Sequence, residues 1–213
     1  VEGSGGKFTV PVEAAVGRVS AGPDVVLMCV KANQTAGAAR ELSGWLGRDA
    51  LLVTLQNGLG NVEALEAVFG RDRVVGGVTA EGATLVDTAH IRHAGRGDTA
   101  IGTHPPVEKT VAALVEALRE AGFQARAAKN AHELIWGKLV VNVGINALTA
   151  ITGLRNGRLP GVRGTRAVLE EAVREVASIA SAKGINLPYP DPVERVLEVC
   201  RATAENIASM LQD

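Results

Sequence analysis

Cysteine is scarce. The 213 residues hold two, Cys29 and Cys200, too few for a disulfide framework or a cysteine-rich metal site. One sits in an apolar run and the other far away in a helical pattern, so two reduced thiols and a cytoplasmic protein are expected. An excess of charge of one sign is missing as well. Lys and Arg number 22 and Asp and Glu 23, for a formal net charge of −1. That balance gives no electrostatic case for a nucleic acid or an anionic membrane surface as partner. No uninterrupted apolar run reaches the ~18 residues of a membrane span, and no basic stretch followed by an apolar one opens the chain as a signal peptide would. The four histidines, His90, His93, His104 and His132, show no metal spacing backed by carboxylates or cysteines, so no metal is expected. There is no internal repeat and no low-complexity tract. A clean start and stop are also lacking. The chain runs from Val1 into Glu2-Gly3-Ser4-Gly5-Gly6 and ends at Met210-Leu211-Gln212-Asp213 inside a helical pattern, without a glycine cap or a proline stop. The expectation is an internal piece of a longer protein.

What is present reads as globular: 46% hydrophobic and 21% charged residues, in a length that suits one or two domains. Residues 7–12 alternate weakly and read as an edge strand, where Pro11 is tolerated. The run Val25-Val26-Leu27-Met28-Cys29-Val30 has no alternation, as expected of a parallel strand buried on both faces. A helix is predicted over 33–46, with Asn33 or Thr35 as N-cap. A second buried strand follows over 51–55, then a helix over 61–69 and a strand over 73–79. Strand alternating with helix predicts a parallel α/β sheet. Residues 90–93 and 99–102 flank Gly95-Arg96-Gly97-Asp98 and read as a hairpin. Residues 107–121 form an amphipathic helix with Val111, Leu114, Val115 and Leu118 on one face, and 123–127 return to the sheet. From residue 130 the segments are helical, over 131–152, 162–183 and 192–213. The domain boundary is therefore placed at 129, with domains 1–129 and 130–213.

In open parallel sheets ligands bind beyond the carboxyl ends of the strands. Two buried strands end in polar residues there, Lys31-Ala32-Asn33-Gln34 and Gln56-Asn57-Gly58-Leu59-Gly60. Ordinary strand-to-helix turns have the same composition, so spacing alone leaves both readings open. Gly3-Ser4-Gly5-Gly6 lacks the preceding strand and following helix of a phosphate-binding turn and reads as a plain loop. The sharpest signal is Lys138, Asn142 and Asn146, spaced i, i+4, i+8. They form one polar stripe on a helix that is otherwise apolar nearly all round. Such groups are costly to bury unless something pairs with them. Three aligned, one of them ionisable, point to a site. Asn206 and Ser209 are read as i, i+3 neighbours on a helical face, which alone reads as a solvated face. Trp45 and Trp136 read as core or rim aromatics.

The segments Cys29-Val30-Lys31-Ala32, Gln56-Asn57-Gly58-Leu59-Gly60, Gly77-Val78-Thr79, Trp136-Gly137-Lys138-Leu139-Val140-Val141-Asn142, Ile145-Asn146-Ala147-Leu148-Thr149-Ala150, Asn156-Gly157 and Glu205-Asn206-Ile207-Ala208-Ser209-Met210-Leu211-Gln212-Asp213 span most of the chain. In that order they resemble the ketopantoate reductase (2-dehydropantoate 2-reductase) family. The resemblance implies an α/β fold: a Rossmann-like parallel sheet lacking its amino-terminal part, then an all-α domain lacking its carboxy-terminal part. It implies that Lys31, Asn57 and Ala83 line a dinucleotide site, that Lys138 is the proton donor, and that Asn57, Lys138, Asn142, Asn146, Asn156, Asn206 and Ser209 hold the substrate. It implies NADPH as cofactor and reduction of ketopantoate to pantoate on the route to pantothenate and coenzyme A.

The residue types suit that chemistry. A hydride on a 2-oxo carbon leaves an oxygen that an ammonium can stabilise and protonate, and Asn and Ser bind carboxylate and hydroxyl through neutral hydrogen bonds. The strand, glycine-rich turn and helix that hold the pyrophosphate in the family are not in this sequence, nor are later helices with a further acidic residue. The segment alone is therefore expected to bind cofactor poorly. Alternatives are a related 2-oxo-acid or opine-type reductase and a non-catalytic nucleotide-binding module. The expected partner is a small-molecule 2-oxo acid. The oligomeric state stays open, a homodimer included.

Overall fold

The computed structural model describes residues 1–3, 6–19 and 22–212. The chain divides into two compact units, Val1–Ala131 and His132–Asp213. In chain order the first contains β1 (Glu2–Gly3), β2 (Gly6–Lys7), β3 (Val25–Met28), α1 (Thr35–Ser43), β4 (Leu51–Thr54), α2 (Asn61–Phe69), β5 (Val74–Thr79), β6 (Gly82–Asp87), β7 (His90–Gly95), β8 (Asp98–Gly102), α3 (Glu108–Glu120) and β9 (Gln124–Ala128). Among the described residues these strands make two sheets, one in the order β3-β4-β5-β8-β9 and a smaller one in the order β2-β1-β7-β6.

The larger sheet carries α/β character on both faces. β3, β4 and β5 run parallel, β8 is antiparallel to β5, and β9 is parallel to β8. Successive residues of β4 serve opposite layers, as period-two geometry requires. Leu51 and Val53 join Val75, Ile101, Val111, Val115 and Ala125 beneath α3. Leu52 joins Met28, Ala39, Leu65 and Val74 beneath α1 and α2. All four residues of β4 are buried, which is why the strand has no polar alternation.

Several expectations are corrected. Among the described residues β3 has a strand neighbour on one side only, and it is not buried on both faces: Leu27 is 45% exposed and Cys29 is exposed. Backbone pairing at the amino terminus ends where Phe8 and Val1 exchange hydrogen bonds, and Phe8, Val10 and Val12 all face solvent. Their alternation has no core to match. The hairpin across residues 95–98 does not form. β7 pairs instead with β6 through the tight turn Thr88-Ala89, where Ala89 takes φ 59°, and β8 pairs with β5 and β9. The α1 cap is neither Asn33 nor Thr35. A 3-10 turn, Ala32–Gln34, leads into the helix, with no side-chain cap bond. Of Gly3-Ser4-Gly5-Gly6, Gly3 closes β1 and Gly6 opens β2, while Ser4 and Gly5 lie outside the described residues.

The second unit is helical. α4 (Ala131–Thr152) enters it and is followed by a 3-10 segment, Asn156–Gly161, then α5 (Arg163–Ala182), α6 (Pro192–Ala202) and α7 (Ser209–Gln212). Its core gathers Val140 and Ile145 of α4 with Leu159, Leu169, Val173, Val196, Leu197 and Cys200. The long helix expected over 192–213 is broken at 203–208. The break follows from tertiary pairing: Asn156 N–H donates to Asn206 O at 3.1 Å and Gly157 N–H to Ala204 O at 3.1 Å, so this backbone serves residues 156–157 instead of a helix. α4 is long and apolar enough to cross a membrane by length and composition. One side of it packs against the other helices of this unit. Gly144 lets α5 and α6 approach so closely that a β-carbon there would lie 2.8 Å from Val196 Cγ1 and 2.9 Å from Val173 Cγ2. Tyr189 Oη donates to Gly137 O at 2.8 Å on the same side, and burial pushes that phenol up to about 12.

Candidate active site

In the first unit, the segments after β3 and β4 lie side by side because their strands are parallel neighbours, with Met28 opposite Thr54. Lys31 and Asn57 follow those strand ends, and both are exposed. Gly58 and Gly60 both hold φ 89°, and a side chain at either would point into open space. Bare backbone at the carboxyl rim of parallel strands is where a ligand can come close.

A chain of hydrogen bonds runs beneath these segments. Thr54 Oγ1 donates to Gln56 Oε1 at 2.8 Å. Gln56 Nε2 donates to Val30 O and to Thr35 Oγ1, the latter at 3.0 Å. Thr35 Oγ1 donates to Asn61 Oδ1 at 3.0 Å, and Asn61 Nδ2 donates to Asn57 O at 3.2 Å. Sequence reasoning passed over Asn61 and took Thr35 only for a cap. Their signal was a Thr and an Asn at the starts of two helices, which capping explains equally well. Ala83 stands apart from Lys31 and Asn57 in the sheet topology. It is an exposed residue of β6, paired with His93 in the smaller sheet.

In the second unit α4 is unbroken over 22 residues, so Lys138, Asn142 and Asn146 fall on one stripe that drifts ~40° per step at ~100° per residue. Gly137 and Gly144 define the side packed against Tyr189, α5 and α6, and the stripe lies ~100–180° round the axis from it. All three polar residues are half-buried. Burial lowers the Lys138 pKa from its ordinary 10.5, because desolvation disfavours the ammonium. An ammonium so placed is a stronger acid than one in water.

Asn156 is buried beside the broken segment. Its Nδ2 donates to Thr203 Oγ1 at 2.9 Å, while its buried Oδ1 has no hydrogen-bond partner among the described residues. Thr203 was not singled out from sequence, since nothing local marks it. Asn206 and Ser209 do not share a helical face: Asn206 lies in the break and Ser209 opens α7, both exposed. The two thiols are free, and burial pushes the Cys200 thiol up to about 11, away from thiolate chemistry.

Residues 1–106 match the family model described as ketopantoate reductase PanE/ApbA, and residues 130–213 match its C-terminal counterpart. A 2-dehydropantoate 2-reductase of Halobacterium salinarum is 39% identical over 212 residues, covering 97% of this chain and 68% of that protein. The chain belongs to the ketopantoate reductase family. The crystal structure of a PanE/ApbA family ketopantoate reductase from Ralstonia eutropha JMP134 superposes with a TM-score of 0.80 at 32% identity, over 90% of this chain and 62% of that one. D-mandelate dehydrogenase in a ternary structure with NADH and anilino(oxo)acetate gives a TM-score of 0.83 at 22% identity, over 91% and 63%, which shows a shared fold alone. This chain of the ketopantoate reductase family thus spans about two thirds of the length of each. The family is one of oxidoreductases.

Proposed function

We propose that this chain carries the reacting centre of an NADPH-dependent 2-dehydropantoate 2-reductase, which turns ketopantoate into pantoate for pantothenate and coenzyme A synthesis. The observation that supports it most is the α4 stripe: a half-buried lysine whose ammonium is weakened by burial, in line with two half-buried carboxamides. The free thiols Cys29 and Cys200 suit a cytoplasmic location.

The residues fit both ligands. Lys31 offers a cation for a phosphate, Asn57 an amide, and Gly58 and Gly60 open backbone to a dinucleotide at the sheet rim. The unpartnered Asn156 Oδ1 asks for a donor, which a substrate hydroxyl supplies. When bound, reduced nicotinamide supplies the hydride that reaches the carbonyl carbon. Lys138 donates a hydrogen bond from Nζ to the carbonyl oxygen, stabilises the negative charge that grows there, and gives up its proton. Asn142 and Asn146 fix the carboxylate through their amide N–H groups, with Asn206 and Ser209 as further polar contacts. Fixing the acid this way presents the carbonyl in one orientation.

The test is a panel of 2-oxo acids offered to the full gene product with NADPH and with NADH. Pantoate formation with NADPH, faster for ketopantoate than for pyruvate, phenylpyruvate or the 2-oxo acid and amine pairs of opine synthesis, is the expected result. Preference for another acid overturns the substrate assignment. Dinucleotide binding without turnover of any acid overturns the enzyme assignment.

A further inference from the structure

In the hydrogen-bond chain beneath the sheet rim, both Gln56 amide hydrogens and the hydroxyl hydrogens of Thr54 and Thr35 each have an acceptor. Gln56 spends one amide N–H on Val30 O and the other on Thr35 Oγ1, while its carbonyl accepts from Thr54. Thr35 passes its single hydroxyl proton to Asn61, whose own amide reaches Asn57 O. The direction of the whole chain is therefore fixed. A flipped Gln56 amide would set its oxygen against the Val30 carbonyl and its NH2 against the Thr54 hydroxyl. Thr35 is 1% exposed, Thr54 2% and Asn61 4%. These are three of the six buried polar residues among those described, collected at one end of one sheet.

The two ends of the chain matter most. Val30 O belongs to the peptide that leads into Lys31, and Asn57 O to the peptide that leads into Gly58. The bonds thus tie the segment after β3 to the segment after β4, across sequence separations of 21 to 26 residues. Neither segment has a regular ladder to hold it there, since β3 ends at Met28 and β4 at Thr54.

We propose that Thr35, Gln56 and Asn61 are positioning residues that lock the Lys31 and Asn57 segments into one relative placement, so that both meet the dinucleotide together. This rests on the dinucleotide reading above. The three side chains act through Lys31, Asn57 and the Gly58–Gly60 backbone, not by touching the cofactor. A segment pair that is correctly placed only part of the time binds more weakly, with its dissociation constant divided by that fraction.

Thr35→Val removes the hydroxyl and keeps the shape. It strips Gln56 of one acceptor and Asn61 Oδ1 of its donor. Thr35→Ser retains the hydroxyl and serves as the rescue. Gln56→Glu keeps the shape and removes both donors, which sets a carboxylate against the Val30 carbonyl. In the full gene product, the NADPH dissociation constant is measured by fluorescence titration. Steady-state kinetics, melting temperature and amide hydrogen exchange of residues 31–34 and 57–60 accompany it.

The expected result for Thr35→Val is an NADPH affinity lowered about tenfold, the scale of one or two lost hydrogen bonds. Turnover at saturating NADPH changes less than about twofold, as for a loss of uniform binding, and exchange is faster in both segments. Gln56→Glu weakens binding further, and Thr35→Ser stays near wild type. A lower melting temperature with unchanged NADPH affinity in Thr35→Val and Gln56→Glu overturns the proposal and leaves the network purely structural. Thr35→Ser behaving like Thr35→Val overturns it as well. Failure of the wild-type protein to bind NADPH is a different result: it overturns the dinucleotide reading itself, and the positioning role falls with it.

Discussion

Lys138 owes its chemistry to its surroundings. Burial lowers its pKa from 10.5, which has two consequences of opposite practical sense. In its proposed role as proton donor it must be charged, so kcat/KM should fall as pH rises through the lowered value, and the fall should begin below pH 10.5. A pH profile of the wild-type enzyme checks this. For folding, the unfolded chain holds the proton more tightly than the native one between the lowered value and 10.5. Native stability therefore rises with pH across that window, and the gain disappears as pH falls through the folded value. Melting curves of wild type and Lys138→Met should draw apart or together only within that window. Asn142 and Asn146 are neutral and do not titrate. Replacing either by Ala should lower kcat/KM about 10–100-fold, the value of a hydrogen bond to a charged group, with the pH profile unmoved.

At the scale of elements, α4 has a polar row on one side and a packed side on the other, and Gly144 lies on the packed side. A methyl there would meet Val196 and Val173, both fully buried. Gly144→Ala gains about 1 kcal/mol of helix propensity, against an overpacking cost of about 1–3 kcal/mol. It should therefore lower the stability of the helical unit, and Gly144→Val should lower it more, as read in denaturant unfolding. Much of this element was legible from sequence, because a 22-residue helix with an i, i+4, i+8 polar row declares its own geometry. β4 was equally legible, since a strand buried on both faces has no alternation. The exposure of Leu27 on β3 was not legible, because it depends on what neighbours the strand and not on the strand. The β6–β7 hairpin was missed because its turn is Thr88-Ala89, without the Asn or Gly that such turns usually carry. The break after α6 was hidden for another reason: Thr203-Ala204-Glu205-Asn206 contains no glycine or proline, and a distant segment imposes it. For the site, Lys31, Asn57 and the α4 row could be read from motifs. The buried Thr35–Gln56–Asn61 chain could not, since Thr35 is 21 residues from Gln56 and 26 from Asn61.

For the whole molecule, each unit has its own core and its own share of polar groups: the sheet rim with Lys31 and Asn57 in one, the α4 row with Asn156 in the other. That division matches the two parts of the family model, over residues 1–106 and 130–213. In the proposed function it also separates the two tasks, dinucleotide contact in the first unit and acid contact with proton delivery in the second. The cores should respond accordingly. Leu169→Ala, a fully buried truncation in the helical unit, should cost about 2–5 kcal/mol in denaturant unfolding. The central claim is that one ammonium on α4 delivers the proton of a ketopantoate reduction. Ketopantoate-dependent oxidation of NADPH by the full gene product and by Lys138→Ala, with folding checked by circular dichroism, tests it most directly. The expected result is pantoate formation by the wild type and a loss of about 10²–10⁴-fold in kcat for a folded Lys138→Ala that still binds NADPH. Turnover by Lys138→Ala at the wild-type rate would contradict the claim.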